Sequence, residues 1–211
     1  MKSRLRNFFI VFFVLAALQI SAQKFHGGFY AGIAASQISG DQLSGFNKAG
    51  FYVGGFSNFW FTEKSAIQLE LCFIQKGSSK NPRPKNNDYS VYKLNMYYIE
   101  MPLLYKWNFV KRFYLEAGPV LGVLMKTYNI EKDEYGLVNN TLRPAFNQFD
   151  LGVIGGFGVN IIDHLRANIR YENSVLPVRK PEVGTAWRLD RWQYNSSITL
   201  SVIYEIWQKK E

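Results

Sequence analysis

From Leu165 to Glu172 the chain alternates strictly: Leu165, Ala167, Ile169 and Tyr171 are apolar or aromatic, and Arg166, Asn168, Arg170 and Glu172 between them are charged or carry an amide. A side-chain period of two marks a strand whose two faces meet different surroundings. The pattern recurs. In Ser65–Lys76 the apolar set Ile67, Leu69, Leu71, Phe73 interleaves with Gln68, Glu70, Cys72. From Phe149 to Ile161 apolar residues interleave with Asp150, Gly152, Ile154, Gly156, Gly158 and Asn160, and near the C-terminus Ile198, Leu200, Val202, Tyr204, Ile206 interleave with Ser197, Thr199, Ser201, Ile203, Glu205. Four further segments fit less cleanly: about Phe25–Ser36, Ala49–Phe61, Leu94–Trp107 and Phe113–Thr127. Pro102 and Pro119 fall inside two of them, where a missing ladder donor predicts bulges or register shifts.

The connections between these segments are unequal. Thr62–Lys64, Asn108–Arg112 and Ile162–His164 are short, whereas Gln37–Lys48, Gly77–Asp88, Tyr128–Asn147 and Asn173–Arg191 are long and polar. Long and short alternate without exception, as they do when tight turns line one rim of a barrel and larger loops the other. The expected fold is all-β, an eight-stranded antiparallel up-and-down transmembrane β-barrel with both termini at the periplasmic rim. Aromatics support this by clustering at strand ends: Trp60, Phe61, Tyr105, Trp107, Phe113 and Trp207 for one interfacial girdle, and Tyr89, Tyr92, Tyr128, Trp187 and Trp192 for the other. The competing reading is a soluble β-sandwich or lipocalin-like barrel. That fold turns the apolar face inward and leaves Glu70, Glu116, Arg166, Arg170 and Glu205 outside, with no account of the aromatic rims.

The N-terminus fits an exported protein. Lys2, Arg4 and Arg6 precede eleven apolar residues, Phe8–Leu18, and Gln19, Ile20 and the small residues Ser21 and Ala22 follow. A basic start, a short apolar block and small residues are the pattern of a secretory signal, and eleven residues fall short of the roughly 20 that a helical span needs. Residues 1–22 are therefore expected to be a signal peptide and 23–211 a single barrel domain. The sequence after it contains 22 basic and 16 acidic residues, a net +6. Export points this modest excess toward phosphorylated lipid rather than nucleic acid. The lone Cys72 excludes an internal disulfide framework and is expected to be a small lumen filler.

Few residues suggest chemistry. His26 and His164 are predicted at the periplasmic rim, away from the outer leaflet where a lipid-modifying Ser–His site would act. Neither a cofactor nor a metal site is expected, and the glycines Gly152, Gly155, Gly156 and Gly158 lie inside an alternating strand, where close packing explains them better than a phosphate loop. Two sets of charges stand out. Glu70, Glu100, Glu116, Arg166 and Arg170 are predicted to face the lumen, where an eight-stranded barrel is filled by its own side chains, so they are expected to form a structural ion-pair network. Lys80, Arg83 and Lys85, with Lys76 beside them, and Arg179, Lys180, Arg188 and Arg191 are predicted in two long loops, within reach of lipid A phosphates.

Several stretches resemble the PorT-like outer-membrane β-barrel proteins of the Bacteroidetes: Gly45-Phe46-Asn47-Lys48-Ala49-Gly50-Phe51, Leu69-Glu70-Leu71 with Gln75-Lys76-Gly77, Tyr98-Ile99-Glu100-Met101-Pro102-Leu103-Leu104, and Phe149-Asp150-Leu151-Gly152 with Arg170-Tyr171. The resemblance implies an outer-membrane barrel and, through the founding member, an association with type IX protein secretion. It supplies no catalytic motif. The expected function is a non-enzymatic structural or accessory barrel, with a passive small-solute pore and a lipid A-modifying enzyme as alternatives. The expected partners are outer-membrane lipid and lipopolysaccharide and envelope or secretion proteins, with a monomeric barrel and no nucleic acid.

Overall fold

The computed structural model describes residues 25–41, 43, 45–133, 136–137, 145–180 and 192–206. The expected signal peptide, the girdle residues Trp187 and Trp207, and the loop cations Arg188 and Arg191 lie outside the described residues. The strands are β1 (Phe25–Ser39), β2 (Lys48–Trp60), β3 (Ser65–Lys80), β4 (Val91–Val110), β5 (Phe113–Asp133), a two-residue β6 (Gly136–Leu137), β7 (Phe149–Ile162), β8 (Leu165–Ser174) and β9 (Tyr194–Glu205). Apart from β6, which pairs only with the tip of β5, each is antiparallel to both neighbours. The ring runs β1-β2-β3-β4-β5-β7-β8-β9 and closes where β9 pairs with β1. An eight-stranded barrel results, with no open edge around its wall.

One parity rule describes the interior. Even-numbered residues of β1 to β5, β7 and β8 point inward, until Met125 reverses the parity of β5, and in β9 the odd ones do, from Asn195 to Glu205. Outward positions such as Phe29, Ile33, Leu71, Leu103, Phe149, Ile169 and Val202 are exposed and apolar, the reverse of a water-soluble protein. Inside, one end of the lumen is packed by Tyr30, Ile38, Tyr52, Ile74, Leu94, Met96 and Tyr98. Charged groups lie beside this packing toward the loop rim, at the middle and toward the turns.

The strands run longer than their sequence signatures. β3 continues past Lys76 because Gly77 adopts φ +144°, and a Cβ there would lie 2.0 Å from the Leu94 carbonyl oxygen. Only glycine lets the strand pass. The prolines do not shift register. Pro102 still faces Val120, while the β3–β4 ladder skips Glu70 and Leu71 opposite it and the β4–β5 ladder lapses just beyond. The lost donor costs local pairing and nothing more. The actual shifts lie between Tyr97 and Tyr98, where β5 inserts Met125, and beside two short turns, between Trp107 and Val110 and between Asn160 and Ile162.

The aromatic girdles are partly redrawn. Phe61, Tyr105, Trp107 and Phe113 are exposed on the outer wall near the short turns. Trp60 is not with them: its even position turns it inward, with its ring centroid 6.2 Å from that of His26. At the loop rim Tyr128 is exposed, but Tyr92 packs against the core and Trp192 is half-buried. Tyr128 ends a row whose other members, Phe51, Phe73 and Tyr97, sequence reading missed; successive ring centroids are 5.4, 6.0 and 6.1 Å apart.

Candidate functional site

The lumen holds three charged groups rather than one continuous network. At the centre, Arg170 of β8 donates from Nη1 and Nη2 to the two oxygens of Glu70 on β3, at 2.8 and 2.7 Å. Its Nε donates to Glu116 Oε1 at 2.7 Å, and Nη1 also reaches the Tyr52 hydroxyl at 2.7 Å. Tyr30 donates to Glu70 at 2.6 Å, and Asn168 to Glu116 at 2.8 Å. Gln68 donates to Glu70 and accepts from Lys106 Nζ at 3.0 Å, and that ammonium lies 4.2 Å from the centroid of the Tyr114 ring and 3.9 Å from Glu116. Two cations thus face two carboxylates, and most of the carboxylate oxygens accept more than one bond. Such pairing is what makes buried charge tolerable.

Toward the loop rim, Lys76 Nζ lies 2.5 Å from both Glu100 and Glu172. Beside it Asp150 accepts from Ser174 and Asn195, each at 2.8 Å. Toward the short turns, Arg166 pairs with Glu205, which also receives His26 Nδ1 at 3.0 Å. Of the five residues predicted as one network, Glu70, Glu116 and Arg170 meet. Arg166 and Glu100 belong to the other two groups.

Position in the ring gives these contacts their meaning. β3 and β8 are four strands apart in either direction, so they face each other across the barrel. The pairs Glu70–Arg170 and Lys76–Glu172 therefore straddle the full lumen, one above the other. Room for them comes from β7, whose inward glycines leave space for neighbours. A Cβ on Gly156 would meet Arg170 Cγ at 2.9 Å, and one on Gly158 would lie 2.0 Å from Tyr114 Cζ.

Lys76 corrects the sequence reading most directly. The expected loop position grouped it with the loop cations, yet it is buried at 1 % exposure within β3. The signal is its parity, shared with Glu70 and Cys72, in a strand that does not stop there. Lys106 and Glu172 are also network members that sequence reasoning missed, although both hold inward parity.

The remaining loop cations do not form one surface. Lys80 pairs with Asp88 at 2.8 Å and donates to Ser90 at 2.7 Å; the Lys80 hydrogen bond, with those from Ser90, holds the Asp88 carboxyl down at about 2. Arg83 and Lys85 are exposed around the short 3-10 turn Pro84–Asn86, and Lys180 is exposed. Arg179 is buried, its guanidinium carbon 4.6 Å from the centroid of the Phe146 ring. A polar cavity of about 520 Å³ opens between Leu43 and Asn47 on one side and Lys80, Arg83 and Asp88 on the other.

Among the described residues, neither histidine is hydrogen-bonded to a hydroxyl. His164 Nδ1 lies 2.9 Å from the Glu205 carbonyl oxygen. Cys72 is buried and free. Among the described residues, no group of His, Cys, Asp and Glu is arranged to hold a metal ion.

An apolar outer wall, a polar packed lumen and alternating turns and loops define an integral outer-membrane β-barrel. Residues 19–178 match the outer membrane protein beta-barrel domain family, and the chain belongs to it. Its place is the outer membrane. Among solved structures, the chain resembles Neisserial surface protein A with a TM-score of 0.51 at 13% identity, over 84% of this chain and 96% of that one. It is also similar to Ail, the attachment invasion locus protein of Yersinia pestis (TM-score 0.48, 11% identity, 87% of this chain and 99% of that one). OprG from Pseudomonas aeruginosa is a looser likeness, at TM-score 0.40 and 13% identity over 87% of this chain and 95% of that one. No curated protein matches the chain in sequence.

Proposed function

We propose that this protein is a monomeric, non-enzymatic barrel with a closed interior, serving a structural or accessory role through its loop rim, with both termini at the periplasmic rim. The observation that carries the reading is the pair of ion pairs across the lumen, Glu70–Arg170 and Lys76–Glu172. A solute pore needs a clear axis, and these side chains cross it twice. The enzyme reading loses support because, among the described residues, neither histidine is hydrogen-bonded to a hydroxyl: His26 meets the Glu205 carboxylate and His164 a backbone carbonyl.

Orientation is tested by labelling intact cells with a membrane-impermeant maleimide. Cys72 is buried, so an introduced thiol is the reactive one. Lys85→Cys is expected to label and Lys111→Cys to label only after permeabilisation; the opposite pattern refutes the outward placement of the loops.

The resemblance to PorT-like barrels points to the type IX secretion apparatus as a partner for such a rim. Co-purification from native outer membrane in mild detergent tests this. Recovery of secretion components with the wild-type chain, and their loss when the Asn81–Asp88 loop is shortened, is the expected result. A barrel recovered alone contradicts it.

A further inference from the structure

On the outer wall of β3, β4 and β5 the character of the surface changes within one pleat. Toward the turns, outward residues are apolar: Leu71 and Phe73 on β3, Ile99 and Met101 on β4, Leu121 on β5. Toward the loops the next row across the three strands is Gln75, Tyr97 and Lys126, followed by Gly77, Asn95 and Tyr128, and then Ser79, Lys93 and Ile130. Gln75 Nε2 donates to Asn95 Oδ1 at 3.1 Å and to the Tyr97 hydroxyl at 3.4 Å. Asn95 spends its oxygen there and keeps its amide hydrogens as donors.

Lys126 shows where the boundary lies. Its ammonium lies 4.5 Å from the centroid of the Tyr128 ring, so the side chain turns from its own position toward the loop rim. A lysine at the edge of hydrocarbon snorkels in this way toward the polar layer. Lys93 is exposed two rows beyond the position of Lys126. Among the described residues, no carboxylate pairs with Lys93 or Lys126.

We propose that this patch binds the phosphorylated head group of an outer-leaflet lipid. Lys126, Lys93 and the Asn95 amide present donors to phosphate oxygens. The acyl chains lie along Phe73, Ile99 and Leu121 below. The loop cations named from sequence sit elsewhere, and this site is part of the barrel wall itself. Which leaflet supplies the lipid rests on the outward placement of the loops; the binding test does not, because a nanodisc offers lipid on both faces.

The test uses the full mature chain in phosphatidylcholine nanodiscs carrying bisphosphorylated lipid A, with bound lipid counted by native mass spectrometry. Lys93→Gln and Lys126→Gln are each expected to weaken retention about fivefold, and the double variant more than about tenfold. Lys64→Gln, at the opposite rim, is expected to leave it unchanged, and heat-shifted gel mobility confirms that each variant is folded. Wild-type retention by the double variant overturns the site. So does equal binding of dephosphorylated lipid A, or displacement by inorganic phosphate at concentrations comparable to those of the lipid.

Discussion

At the residue scale the lumen is decided by volume as much as by charge. Arg170 and Tyr114 occupy space that β7 leaves by placing glycine opposite them, and the clearest case is Gly158, where a Cβ would lie 2.0 Å from a ring carbon that has no room to swing. Gly155, three residues earlier, faces outward, and a Cβ there meets nothing within 4 Å. The same substitution should therefore have opposite consequences at the two sites. Gly158→Ala is expected to destabilise the barrel by about 1–3 kcal/mol through overpacking. Gly155→Ala should be neutral or stabilising by up to about 1 kcal/mol, since it removes backbone freedom from the unfolded chain. Urea unfolding in lipid vesicles measures both, and equal costs would mean that these glycines serve the strand's curvature instead of its neighbours' volume. The sequence carries this packing only in part. Four glycines in one strand point to close approach, but nothing in β7 itself names Tyr114 as the neighbour, because that contact depends on the β5–β7 register.

At the element scale, the hairpin between β3 and β4 carries one half-buried ion pair, Lys80 with Asp88. Arg83 and Asp88 exchange backbone hydrogen bonds at 2.6 and 3.3 Å across it, and the Asp88 carboxylate holds Lys80 and Ser90. The Asp88 carboxyl is held near 2 against an ordinary 3.8, so the folded form prefers the charged group. A depressed value means that the contribution is complete above about pH 4 and is lost as pH falls toward 2. Amide resonances of Arg83 and Asp88 should hold steady down to pH 4 and then move together, and Asp88→Asn should show the low-pH positions at neutral pH. Unmoved resonances at pH 2 would show that the backbone bonds alone hold the turn. Strand limits are the less legible part of the sequence at this scale. Alternation locates every barrel strand, yet it stops short at Lys76 because Gly77-Ser78-Ser79 reads as loop. A strand continues there only because Gly77 takes a φ closed to other residues. Pro102 misleads in the other direction: it predicts a register shift, but a barrel strand held on both sides keeps its register through a missing donor.

At the scale of the whole molecule, the fold follows from two simple regularities, side-chain parity along the strands and the alternation of short and long connections. Both are legible in the amino-acid sequence alone. Which charges meet is not, because partners such as Lys76 and Glu172 lie on opposite walls, and only ring closure brings them together. Parity places a residue inside; the stagger between strands selects its partner. This explains why five predicted lumen residues belong to three groups, and why Lys106 escapes notice despite its inward position. The proposed closed interior rests on the same ring closure, since two side-chain bridges span the lumen. The most direct measurement is single-channel recording of the purified, folded chain in planar bilayers. A closed barrel predicts a silent baseline under applied voltage. Stable openings of uniform size would contradict it.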